Sequence, residues 1–114
     1  MTELLSKLQV KPGQSIAIVG GVPEGSDDWN LTSEVESADA VLVYVSSAAE
    51  LASSMEQLQH AAGRGALCWV AYPKGGQLGT DLNRDRIRES VIGLDTVRQV
   101  SIDDTWSALR LKVR

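Results

Sequence analysis

The stretch Ala66-Leu67-Cys68-Trp69-Val70-Ala71-Tyr72-Pro73-Lys74-Gly75-Gly76 decides how this chain is read. Its first seven residues are apolar without a break, the pattern of a strand buried on both faces of a parallel sheet. Pro73 to Gly79 holds three glycines and reads as a loop. A buried strand needs neighbours of its own kind and helices to cover it. Both appear on moving outward. Upstream, Ala48 to Ala62 repeats Ala48, Leu51, Ala52, Met55, Leu58 and Ala62 at helical spacing, which makes one apolar face. Ser46 or Ser47 caps that helix, and Gly63 and Gly65 end it.

Before the helix, Ala38 to Val45 is a second buried strand, and Ser15 to Val19 is another that ends at Gly20-Gly21. Residues 22–37 between them are polar and turn-rich, with Pro23, Gly25, Asp27 and Asp28, and have room for one short strand near Leu31 to Val35. Thr2 to Leu8 makes a short amphipathic turn or helix, and Lys11-Pro12-Gly13-Gln14 is a turn. Downstream, Thr80 or Asp81 caps a helix that runs to about Ile92 and stops at Gly93. Val97, Val100 and Ile102 indicate a fourth strand, Asp103-Asp104 turns the chain, and Trp106 to Val113 returns antiparallel. In that last strand Leu109, Leu111 and Val113 face one way, and Trp106, Ala108, Arg110 and Lys112 the other. The expected fold is a single three-layer α/β domain over residues 1–114. Its strands near 15–19, 39–45, 66–72 and 97–102 run parallel in one sheet, closed by a C-terminal antiparallel hairpin.

Composition limits the function. The chain has 114 residues, 43% of them hydrophobic, 4% aromatic and none of them Phe, so Val, Leu, Ile and Ala build the core. The net charge is −4, which argues against non-specific nucleic-acid binding, since that shows as a basic surface. The charge is uneven. Residues 1–71 carry three Lys or Arg against nine acids, and residues 72–114 carry eight against six, so the second half can attract an anion locally. One cysteine excludes an internal disulfide, and Cys68 reads as a small buried hydrophobe. With only His60 beside it, a Cys/His zinc site is not expected. No signal segment or membrane-length apolar run is found, so a cytoplasmic location without membrane attachment is the expectation.

The strand ends carry the candidate site. In a parallel sheet ligands bind beyond the carboxyl ends of the strands, which here are Gly20-Gly21, Ser46-Ser47, Pro73-Lys74 and Asp103-Asp104. Lys74, Asp103 and Asp104 should meet at that edge, with Arg84 and Trp106 close by. Lys74 either grips an anionic group or is a solvated loop lysine. Asp103 and Asp104 either form a paired acid site, hold Lys74, or serve the turn, where Asp is favoured for local reasons. Asp81, Asn83, Arg84 and Asp85 surround a helix N-terminus, with capping the expected role of Asp81. Arg84 and Arg110 can pair with Asp85, Asp103 or Asp104. Trp69 and Trp106 read as packing residues, His60 as solvated, and Trp29 as an anchor for residues 22–37 or part of a contact surface.

Lys11 to Gly21, KPGQSIAIVGG, resembles the opening strand and glycine loop of a class I methyltransferase fold. Gly65 to Lys74 resembles a later central strand of that fold, and Val97 to Val113 its antiparallel end, so the likeness covers roughly residues 8–114. YPKG, TDLNRD and DDTWSALR together resemble a family of small uncharacterised bacterial proteins. That family implies a small α/β domain and supplies no catalytic residues. The methyltransferase likeness implies an S-adenosylmethionine site at the glycine loop and at an acid ending the next strand. Only the 16 residues 22–37 stand where several crossovers belong, and one parallel crossover alone takes about a dozen. Gly20-Gly21 is also a poor match to G-x-G. The expectation is a cofactor-free relative. Three functions follow: a non-catalytic interaction or regulatory domain, a domain binding a small anionic ligand through Lys74, Arg84 and the glycine loops, or an enzyme of unknown reaction. The first is preferred because no nucleophile–base pair or metal-ligand set is apparent.

Overall fold

The computed structural model describes residues 2–21, 29–91 and 93–113. Three apolar runs become the strands Ile16–Val19 (β1), Ala40–Tyr44 (β2) and Leu67–Pro73 (β3). They pair in parallel, β1 with β2 and β2 with β3. Every residue of β2 is buried, as an uninterrupted apolar strand requires. Leu94–Ser101 (β4) and Trp106–Val113 (β5) complete a five-stranded sheet in the order β1-β2-β3-β5-β4. β5 is antiparallel to both of its neighbours. Four strands therefore share one direction, and the reversed β5 is inserted between β3 and β4. Two ladders are parallel and two antiparallel, so the sheet is mixed rather than mostly parallel.

The two faces are covered unequally. Ala48–Gly63 (α2) and Arg84–Ser90 (α3) lie on one face. There Leu51, Leu58 and Ile87 pack against Val41, Val43, Cys68, Val70, Leu109 and Leu111. On the other face Leu4 and Leu5 of Thr2–Lys7 (α1), with Leu8 and Trp29, cover Ile16, Leu42 and Trp69. Trp69 is fully buried, and its Nε1 donates to the Leu8 carbonyl at 3.0 Å. Such an acceptor is the usual partner of a buried indole N–H. Trp29 is buried and anchors its segment to the sheet rather than standing exposed. The proposed strand near Leu31 to Val35 reduces to one parallel bridge between Leu31 and Ile16. The turn residues Pro23, Gly25, Asp27 and Asp28 lie outside the described residues.

Local chemistry moves three boundaries. In α2, Ser47 Oγ accepts from the Glu50 N–H at 3.1 Å, and Glu50 Oε1 accepts from the Ser46 N–H at 2.7 Å, a close variant of the reciprocal capping box. Ala52 is exposed, and Ala61 takes the buried position instead. The helix placed from Thr80 or Asp81 to Ile92 is shorter. Asn83 is its cap, extended at φ −150° and accepting from the Arg86 N–H at 2.8 Å. Thr80 spends its hydroxyl on the Leu82 N–H, and Asp81 turns away to the Ala48 N–H at the start of α2. Ile92 lies outside the described residues. Strand β4 begins at Leu94, earlier than Val97, because an edge strand exposed along most of its length carries little apolar signal. Its register shifts at Val97, and Asp95 and Arg98 flank that bulge. A bulge and charges are how sheet edges avoid pairing with other chains.

Candidate functional site

The shared direction of β1 to β4 brings Gly20-Gly21, Tyr44, Lys74 and Ser101 to one end of the sheet. The antiparallel β5 starts there, with Trp106 opposite Pro73. Lys74, Asp103, Asp104 and Trp106 thus meet at the carboxyl edge. No ion pair joins Lys74 to either aspartate; Arg88 pairs with Asp85, at 3.1 Å. The Lys74 backbone N–H donates to the Thr105 carbonyl at 2.7 Å, and Nζ donates to Ser101 Oγ at 2.6 Å. Asp103 Oδ1 accepts from the N–H groups of Thr105 and Trp106, both at 2.8 Å. Of the alternatives open for Asp103, turn chemistry is therefore the one its side chain performs. Asp104 contributes its backbone carbonyl, which accepts from Gln77 Nε2 at 3.0 Å.

The expected pairing of Arg84 and Arg110 with Asp85, Asp103 or Asp104 does not occur. Asp85 pairs with Arg88 one turn along α3. Arg110 donates through Nη1 to Gln9 Oε1, across the sheet face from α3. Arg84 instead lines a cleft of about 590 Å³ on the helix-covered face. Lys74 lines it too, with Tyr72, Asp81, Gln99 and Ser107. The five expected site residues are thus divided by the sheet, with Lys74 and Arg84 on the α2–α3 side and Trp106 on the other.

On Trp106's side the centre is Tyr44. The two rings meet edge to face, centroids 4.8 Å apart and planes at 71°, a preferred aromatic geometry. Burial pushes the Tyr44 hydroxyl well above its ordinary value, and the Asp103 carboxylate adds to that. The glycine turn closes on the same ring. A Cβ at Gly21 would lie 2.9 Å from Tyr44 Cγ, and one at Gly20 2.8 Å from the Tyr44 carbonyl oxygen. Gly20 also has φ +82°, a conformation costly to any residue with a Cβ. Both glycines are explained by the close approach of residue 44, Gly20 by its backbone carbonyl and Gly21 by its ring.

On the cleft side, Tyr72 accepts from Gln99 Nε2 at 3.0 Å, and Ser107 also hydrogen-bonds to it. Burial raises the Tyr72 hydroxyl, while Arg84, Gln99 and Ser107 act in the opposite direction. Reading the strand patterns for charged residues alone misses Tyr44, Tyr72, Gln99 and Ser107. A signal for Ser107 was present. The alternation that turns Leu109, Leu111 and Val113 to one face turns Ser107 there as well, a hydroxyl in an apolar row.

The remaining reactive groups are inert or isolated. Cys68 is fully buried, its thiol pushed up to about 12 by burial against the weaker pull of Arg110 and Arg64. Its Sγ donates to the Leu58 carbonyl at 3.5 Å. His60 is exposed on α2 and does not line the cleft. No group of three metal-ligating side chains occurs among the described residues. None of the described helices is long and apolar enough to cross a membrane. Compared with protein-family models, curated proteins and solved structures, the chain matches none.

Proposed function

We propose that this chain is a non-catalytic interaction or regulatory domain, of truncated methyltransferase-like form, without an S-adenosylmethionine site. The observation that carries this reading is the packing of Gly20-Gly21 on Tyr44. In a dinucleotide-type turn, glycines let the backbone approach a ligand. Here the side of Gly21 left open by the missing Cβ holds the Tyr44 ring, which Trp106 backs at 4.8 Å. The residues at the turn therefore do not fit a bound nucleoside. One reversed final strand in a sheet whose other four share a direction supports the methyltransferase-like end of the resemblance. The cleft lining holds no histidine, and its one carboxylate, Asp81, is taken up by the Ala48 N–H, which supports a role without chemistry. Calorimetric titration with S-adenosylmethionine tests the reading. No saturable heat is expected at micromolar concentrations, and clear saturation would overturn it.

A further inference from the structure

The cleft on the α2–α3 face has a lining that the packing of the domain does not use up. The Arg84 side chain takes part in none of the hydrogen bonds or ion pairs found among the described residues. Lys74 spends one N–H on Ser101, and an ammonium has three. Beneath them Ser107, only 6% exposed, is the one buried polar side chain of the described core. It is the cross-strand partner of Tyr72, whose hydroxyl lines the same cleft and accepts from Gln99 Nε2 at 3.0 Å. Tyr72 accepts in that bond, so its own hydroxyl proton remains to be donated. The single carboxylate of the lining, Asp81, is engaged: its Oδ1 accepts from the Ala48 N–H at 2.9 Å, against the positive end of α2. The lining thus carries two cations, a hydroxyl proton to donate and one carboxylate already engaged at the start of α2.

We propose that this cleft binds a small soluble ligand through a phosphate group, held between Lys74 and Arg84 over the Tyr72–Ser107 hydroxyls. The donors approach from the end of β3, the first turn of α3 and the floor of the sheet. Three separate directions suit a tetrahedral oxyanion. A planar carboxylate is satisfied by the fork of one arginine. A volume of about 590 Å³ accommodates more than the anion alone, within the range of ligand clefts. The site lies across the sheet from the Tyr44–Trp106 pair. Its failure would leave the cofactor-free reading standing, and its success does not depend on that reading.

The test is an amide NMR titration of the full chain with inorganic phosphate, and a parallel one with acetate. Phosphate should give saturable shifts confined to residues 72–84 and 99–107. Arg84→Ala and Lys74→Ala should each weaken binding by about tenfold to a hundredfold, the effect of losing one charge-assisted bond. Both side chains are solvent-accessible, and the variants' far-UV circular dichroism should match the parent. Lys112→Ala, on the opposite face, should bind as the parent does. Shifts that fail to saturate in the millimolar range, equal binding of acetate, or equal loss with Lys112→Ala would each overturn the proposal.

Discussion

Replacing Gly21 by alanine puts a methyl carbon 2.9 Å from Cγ of Tyr44, 3.0 Å from Cδ2 and 3.2 Å from Cδ1. Real Cβ atoms do not sit so close, so the ring or the turn must move. The ring has little room. Trp106 meets it edge-on, and the Tyr44 backbone is fixed in a strand paired on both sides. Overpacking of this kind costs about 1–3 kcal/mol. At about 2.1 cal/mol/K for each of the 114 residues, the entropy of unfolding is roughly 0.24 kcal/mol/K. A central cost of about 2 kcal/mol then lowers the melting temperature by about 8 °C. The assay is a double-mutant cycle in thermal or urea unfolding, using Gly21→Ala, Tyr44→Ala and the pair. With the ring gone, Gly21→Ala should cost less than about 0.5 kcal/mol, leaving a coupling energy above about 1 kcal/mol. An equal cost in both backgrounds would show that the glycine is required for something other than Tyr44. The reasoning about the lost cofactor site would fall with it.

The β4–β5 turn and the buried ionisable groups carry two further expectations. Asp103→Ala removes the acceptor of two backbone N–H groups and should cost about 1–2 kcal/mol. Asp104→Ala, whose side chain makes no bond or ion pair, should stay within about 0.5 kcal/mol; equal effects in a melting comparison would contradict the turn assignment. The Cys68 thiol is raised from 9.0 to about 12, and the Tyr44 and Tyr72 hydroxyls are raised as well. Above pH 9 the unfolded chain loses protons that the folded chain keeps, which favours unfolding. For Cys68 the stability is therefore complete below about pH 9 and lost as the pH rises toward 12, at up to about 1.4 kcal/mol per pH unit. Unfolding followed from pH 8 to 11 should show the fall, and Cys68→Val should flatten its first part; a curve without slope would refute the assignment.

Much of this was legible along the chain because the signals are local. The unbroken apolar runs at 40–44 and 67–72 can only be strands with both faces covered, since any polar residue there would be buried without a partner. Alternation in Trp106–Val113 fixed which side chains share a face. Shared strand direction then carried Lys74, Asp103, Asp104 and Trp106 to one edge. Partners were not legible, because a hydrogen bond between distant segments leaves no period in the sequence. Asp81 looks like the cap of the helix beside it, yet it serves α2, 33 residues earlier in the chain. Lys74 reads as a partner for Asp103 or Asp104, yet it bonds a serine 27 residues away. Gly20-Gly21 has the composition of a ligand turn, and only the approach of β2 beside β1 reveals that a tyrosine fills it. Residue type and spacing determined the elements and the faces; which donor meets which acceptor, and which cations are left over, was decided only when the sheet brought separate strands within bonding distance.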